Sequence, residues 1–188
     1  MPYPVDTLLK IRNRSLNTVG GLKSSQFIQS QFVGFLTDVY RKIGLLLLVY
    51  SGQRNYPEQW ELRKEYLAGG NIAASPGGSW HAYGRAVDVV PVWYDGSLNW
   101  EMNPSGWKRI ADIAAGWGLK SGASFGDPGH FKYTAGASLV QLRNANPGWE
   151  QYKELEEKMK QKKIPWRMIA LFAGLGGIAI FTYNKNRK

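Results

Sequence analysis

The chain has only two histidines in 188 residues. Each lies beside glycine with a carboxylate close by, in Ser79-Trp-His81-Ala-Tyr-Gly84-Arg-Ala86-Val-Asp88 and in Asp127-Pro-Gly-His130-Phe131. Segments so far apart in sequence act together only if the fold brings them side by side, and this constrains the architecture more than any other feature. Each residue has a plain structural role open to it: a histidine is more often an ordinary polar side chain than a ligand, Asp-Pro-Gly is a turn signature, and Asp88 can cap or pair. The joint pattern points instead to a site.

A catalytic zinc needs three protein ligands and one position left for water, whose pKa falls to about 7 on the metal. His81, Asp88 and His130 supply such a set. The chain has no cysteine, so thiolate sites are excluded and the donors must be nitrogen and oxygen. Two imidazoles and a carboxylate favour one zinc ion as cofactor. Asp127 is then left over as a general base that takes a proton from water and returns it to a leaving amine.

The length suits one catalytic domain with an appendage, since domains usually run roughly 100 to 200 residues. Helical spacing of Phe27, Ile28, Phe32, Phe35, Leu36, Val39 and Tyr40 predicts an amphipathic helix over 26–42, ended by Gly44. Leu45 to Tyr50 reads as a buried strand and 56–66 as a helix. Residues 73–80 form a Gly/Pro-rich loop leading into His81; 86–91 has strand character, followed by a hairpin turn at 93–96 and a return near 98–100. A helix over 105–117 follows, with Ser105 as its cap, and then a loop or strand edge carrying His130. A short early helix over 7–13 completes an α+β fold in which a small antiparallel sheet is flanked by helices and holds the zinc site.

After Pro147-Gly148 the composition changes. Residues 1–146 read as the catalytic zinc domain, 147–163 as a charged helical linker, 164–183 as a transmembrane helix and 184–188 as a basic tail. The apolar stretch holds one charge, Arg167, and is about 30 Å long as a helix, enough to cross the hydrocarbon core. Trp166 and Tyr183 suit the interfaces, and the small pairs Ala170/Gly174 and Ala173/Gly177 would allow self-association. Formal charge is divided unevenly. Residues 1–150 carry 15 basic and 11 acidic side chains, and 151–188 carry 9 and 3. No basic run follows one face and no nucleic-acid module appears, so no nucleic-acid partner is expected; a mild positive field suits an anionic polymer or a membrane surface. The opening Met1-Pro-Tyr-Pro-Val-Asp6 lacks the form of a secretory signal, so delivery by another route is expected.

The motif Ser79-x-His81-x-x-Gly84-x-Ala86-x-Asp88 with Asp127-x-x-His130-Phe131 resembles the zinc peptidoglycan peptidases, which include D-Ala-D-Ala carboxypeptidases of the vancomycin-resistance type and phage endolysins cutting L-alanyl-D-glutamate. Upstream, Tyr50-Ser-Gly-Gln-Arg54-x-Tyr56-x-x-Gln59 is similar to the family's Ser-Gly-Tyr-Arg-Ser segment, with Gln53 in place of the common tyrosine. The resemblance implies His81, Asp88 and His130 as zinc ligands, Asp127 as the acid/base and Arg54 as a catalytic and substrate-steadying guanidinium. Ser79 and Gln59 are implied as substrate-side residues, Ser79 also as an orienter of the ligand loop. Asp rather than Glu before the second histidine looks more like the endolysin branch. The expected activity is zinc-dependent hydrolysis of the peptidoglycan stem peptide at L-Ala–D-Glu; the alternatives are a D-Ala-D-Ala carboxypeptidase and a virion structural protein that binds wall without cutting it. With the apolar tail, the expectation is a membrane-associated lysin of a phage virion membrane or host inner membrane.

Overall fold

A computed structural model describes residues 3–161. Four strands form one antiparallel sheet in the order β1-β2-β4-β3, with β1 at Leu46–Ser51, β2 at Ala86–Val92, β3 at Leu119–Gly122 and β4 at Asp127–Tyr133. Among the described residues there are six helices: α1 Val5–Gly20, α2 Gln26–Ile43, α3 Tyr56–Leu67, α4 Pro104–Gly116, α5 Leu139–Ala145 and α6 Glu150–Gln161.

The two faces of the sheet follow from strand alternation. Leu47, Val49, Val87, Val89 and Phe131 face α2 and α4, where Phe32, Phe35, Val39, Ile110 and Ala114 complete the main core. Leu46, Leu48, Val90 and Val92 face Tyr3 and Ile11 in a second cluster. β1 is an edge strand, and α1 covers its open side. Ser15 Oγ donates to Leu47 O at 3.2 Å and accepts from Val49 N at 3.0 Å, so the free ladder groups are satisfied.

Local signals set the helix ends. Ser25 caps α2 and Gly44, at φ 66°, closes it in the left-handed conformation. Asn55 and Glu58 form a reciprocal capping box at α3. At α4 the cap is Asn103 rather than the expected Ser105, because Pro104 takes the first helical position and fixes the cap two residues earlier. The first helix is also longer than its apolar spacing suggested, since burial of Ile11, Ser15 and Val19 against the sheet extends it to Gly20. The strand β3 and helix α5 were not expected; at four and seven residues both are too short to show a clear period.

The charged segment expected to be a spacer folds back on the body. Arg63 of α3 donates from Nη2 and Nε to the Glu156 carboxylate of α6 at 2.7 and 3.2 Å, and Tyr152 packs on Tyr56 and Trp60. α6 therefore forms part of the same folded unit as the sheet. Among the described residues no helix is long and apolar enough to cross a membrane; the segment 164–183 lies outside them.

Candidate metal centre

Sheet register assembles the centre. On β2 and β4, Asp88 lies directly opposite His130, and on β1 Ser51 lies opposite Asp88, so three strands present one row of side chains. Val49 faces Val89 while Ser51 faces Asp88, which makes Tyr50 the extra residue of a β-bulge beside the row. His81 comes from outside the sheet, on a 3-10 turn over Trp80–Tyr83. Ser79 Oγ accepts from His81 N at 3.3 Å, and Gly84, at φ 65°, reverses the chain toward β2. A Cβ at Gly84 would stand 2.8 Å from Gln53 Oε1 and 3.0 Å from the Lys23 backbone, so the turn needs glycine for both space and conformation.

The donor atoms converge. His81 Nε2 lies 3.1 Å from Asp88 Oδ1 and 3.2 Å from His130 Nδ1, and His130 Nδ1 lies 3.0 Å from Asp88 Oδ1. His81 Nδ1 is 2.6 Å from Gly52 O; a carbonyl only accepts, so Nδ1 carries the proton and Nε2 of the neutral ring offers a lone pair. That lone pair faces Asp88 Oδ1, with Arg54 Nη2 3.4 Å away, so it is turned toward positive charge. A metal bound tetrahedrally at ~2.05 Å would hold its ligand atoms about 3.3 Å apart. The three spacings match this closely. The set His81, Asp88 and His130 can hold a metal ion, and its nitrogen and oxygen donors fit zinc.

The environment favours ligand forms of these groups. Burial lowers the His81 pKa against the opposing pull of Asp88, which keeps the ring neutral. Burial opposes ionisation of Asp88, yet His81, His130 and Arg54 outweigh it and hold the carboxyl well below the usual range. Asp127 opens β4 near the row, and its pKa is raised by burial and then by the charge of Asp88.

Arg54 faces inward. Its Nη2 pairs with Asp88 Oδ2 and donates to Ser51 Oγ at 2.8 Å, Nε donates to Ser51 Oγ at 3.1 Å, and Nη1 donates to Gln59 Oε1 at 3.2 Å. Gln59 is 1% exposed, and its Nε2 donates to Ala74 O at 2.8 Å. Both ends of that amide are thus used inside the protein, which corrects the expectation that Gln59 meets substrate: it braces Arg54 and the loop before His81. Ser79, 6% exposed, is held by the turn it caps.

Sequence reasoning passed over the supports of the 73–79 loop. Tyr83 donates to Gly77 O at 3.0 Å and Arg63 Nη1 to Ala73 O at 2.8 Å, while the Trp149 side chain lies against Gly77 with Arg143 over its ring at 5.2 Å. The Gly52 carbonyl that fixes the His81 tautomer belongs to the backbone, so no residue type announces it. Tyr50 lay within the quoted motif, but only the bulge reveals its place beside Asp88.

No family model matches the chain. The peptidoglycan L-alanyl-D-glutamate endopeptidase CwlK of Bacillus subtilis is 34% identical over 92 residues, 44% of this chain and 55% of that protein, so the chain spans about half the length of the curated relative it matches. Among solved structures, the L-Ala D-Glu endopeptidase ChiX of Serratia marcescens is 22% identical, with a TM-score of 0.47 over 64% of this chain and 86% of that one. The vancomycin-resistance D,D-pentapeptidase VanY of a VanB-type cassette, solved in complex with Zn(II), is 20% identical, with a TM-score of 0.46 over 68% of this chain and 82% of that one.

Proposed function

We propose that this chain, a relative of the zinc peptidoglycan peptidases, is a metallopeptidase that hydrolyses the peptide stem of peptidoglycan, at the L-Ala–D-Glu bond. The observation that carries the reading is the convergence of His81 Nε2, Asp88 Oδ1 and His130 Nδ1 at 3.0–3.2 Å. The choice of bond rests on the relative whose name carries that specificity and on the Asp-x-x-His form of the second motif.

In this reading His81, Asp88 and His130 hold one zinc ion. Bound there, zinc would supply Lewis acidity and lower the pKa of water so that hydroxide is available near neutral pH. The chain's own residues do the rest. Asp127 accepts the proton of the attacking water and delivers it to the departing amine, a task suited to a carboxyl whose pKa is raised toward the working pH. Gly52 holds the His81 tautomer, and Arg54 fixes the second oxygen of Asp88 so that Oδ1 stays turned to the histidines.

The tail belongs to the same proposal. Residues 164–183 tether the domain to a lipid membrane, with small-residue pairs allowing self-association, and the net charge of the whole chain, +10, favours anionic surfaces. That combination suits a membrane-associated lysin of a phage virion or of the host inner membrane.

Purified peptidoglycan digested with and without chelator, with new termini identified by mass spectrometry, tests the reading. New amino-terminal D-Glu that disappears with chelator is expected. Released D-Ala would make the chain a carboxypeptidase, and absence of any metal-dependent product would leave a wall-binding protein.

A further inference from the structure

A cavity of about 350 Å³ borders the turn that carries His81 and the start of α2. Its volume lies within the range of roughly 300–1,000 Å³ typical of small-molecule sites. Ile28, on its wall, packs with Val87 and Val89 in the main core, whereas Asp88 lies between those two on β2 and presents its side chain to the opposite face of the sheet. The cavity is therefore separate from the metal centre.

The polar groups left over around it are donors. None of the described residues that line it is acidic. Gln53 Oε1 accepts from Lys23 N at 3.1 Å and its Nε2 donates to Ala82 O at 2.9 Å, so that amide is used inside the protein. Arg85 gives Nη1 to Thr134 O at 2.8 Å, which leaves most of the five N–H groups of its guanidinium. Among the described residues neither Arg85 nor Lys23 belongs to an ion pair. Ser25 Oγ accepts from Ile28 N at 3.4 Å and keeps its hydrogen to donate. Ser24, also on the wall, has a buried hydroxyl with no partner, a costly arrangement unless a bound group supplies an acceptor. The first turn of α2 holds no acidic residue, so the partial positive charge of its start is not offset. Two cations and two hydroxyls with no carboxylate among them call for an oxyanion.

We propose that this cavity binds a small phosphate ester, with Lys23 and Arg85 pairing the phosphate oxygens and the hydroxyls of Ser24 and Ser25 donating to them. A phosphate brings three strong acceptor oxygens and a charge of about −1.5 to −2 near neutral pH, against two oxygens and a single charge for a carboxylate. That suits donors from four side chains. Ile28 and Leu142 supply apolar wall for the carbon part of the ester.

The test titrates inorganic phosphate, phenyl phosphate and acetate into the full zinc-loaded chain, read by amide NMR shifts. Saturable shifts at Ser24, Ser25 and Ala82 are expected with both phosphates, severalfold tighter for the ester, and about tenfold weaker or worse with acetate. Zinc itself can take phosphate, so the amides of His130 and Phe131 report the metal centre separately. Lys23 is exposed and only its backbone is used by the fold. Lys23→Glu is expected to weaken the response at Ser24 and Ser25 about tenfold, since reversal removes an attraction and adds a repulsion, with the His130 response and the thermal midpoint at wild-type values. Arg85→Lys, which keeps the charge but loses the guanidinium fork, is expected to weaken it severalfold. Shifts confined to His130 and Phe131 overturn the proposal, as does an unchanged response in Lys23→Glu. Acetate binding as tightly as phosphate overturns the assignment of the ligand class, and phenyl phosphate binding no tighter than inorganic phosphate reduces the site to an adventitious ion only. None of these outcomes depends on which bond the metal centre cuts.

Discussion

Gly77→Ala tests how far the metal loop depends on the C-terminal helices. Gly77 has φ +75°, and a Cβ there would lie 2.7 Å from Trp149 Cγ and 2.9 Å from Cβ and Cδ2 of the same side chain. Two separate costs follow. The left-handed backbone costs a non-glycine residue roughly 1–2 kcal/mol, and forcing a methyl into a packed contact costs about 1–3 kcal/mol. Together they reach about 2–5 kcal/mol, a large share of a typical stability of about 5–15 kcal/mol. The expected loss in thermal midpoint is roughly 5–15 °C for a chain of this size. Because Gly77 lies two residues before Ser79, whose hydroxyl accepts from His81 N, displacing the loop also misplaces a ligand. Zinc affinity, read by competition with a chromophoric chelator, is expected to fall about 10- to 100-fold. A double-mutant cycle divides the two costs. Trp149→Ala removes the ring atoms that meet the new methyl but keeps the Cβ at 2.9 Å, so Gly77→Ala loses only the ring's part of its packing cost in that background, and the coupling is a positive fraction of the packing share of about 1–3 kcal/mol. Additive losses would show that the indole does not press on Gly77. Unchanged zinc affinity in Gly77→Ala would show that the loop and the ligand are uncoupled, and either result refutes the reasoning.

Two further outcomes follow from the charges. Burial, and then Asp88, raise the Asp127 pKa, and a general base works only when ionised. The kcat/KM profile is therefore expected to rise through a pKa above the ordinary carboxyl value, with activity lost as pH falls through it; an acid limb at or below that ordinary value counts against Asp127 as the base. Arg63 lowers the Glu156 pKa, with Lys160 assisting, so the pair's stabilisation is present above the unfolded-state pKa and is lost as pH falls through the lowered folded value. Glu156→Gln is expected to cost about 2 kcal/mol at pH 7 in urea unfolding, since it weakens charge-assisted hydrogen bonds. The gap to wild type is expected to close on acidification, and a gap constant down to the acid range would rule out the ionic contribution.

The donor set was legible in the sequence because ligand chemistry is tied to residue type: with no cysteine and two histidines, few combinations existed. The core of the fold was legible for a similar reason, since the helical spacing of Ile28, Phe32, Phe35 and Val39 and the apolar run of β1 are the pattern that burial imposes. What could not be read were interactions carried by backbone or by register. The Gly52 carbonyl that fixes His81 has no side chain to announce it, and the bulge that places Tyr50 beside Asp88 exists only in the pairing of β1 with β2. The sharpest misreading, α6 as a spacer, has a specific cause. Its surface is mostly Glu and Lys, and composition treats those residues as solvated. Yet one of them, Glu156, is 6% exposed, because Arg63 supplies an opposite charge across the α3 interface. Local pattern finds apolar burial but not paired burial, as the partner lies 93 residues away in the chain. The same limit applies to Arg54. Its motif marks it as part of the site, but whether it faces substrate or Asp88 depends on where Ser51, Gln59 and Asp88 stand, and only the sheet decides that.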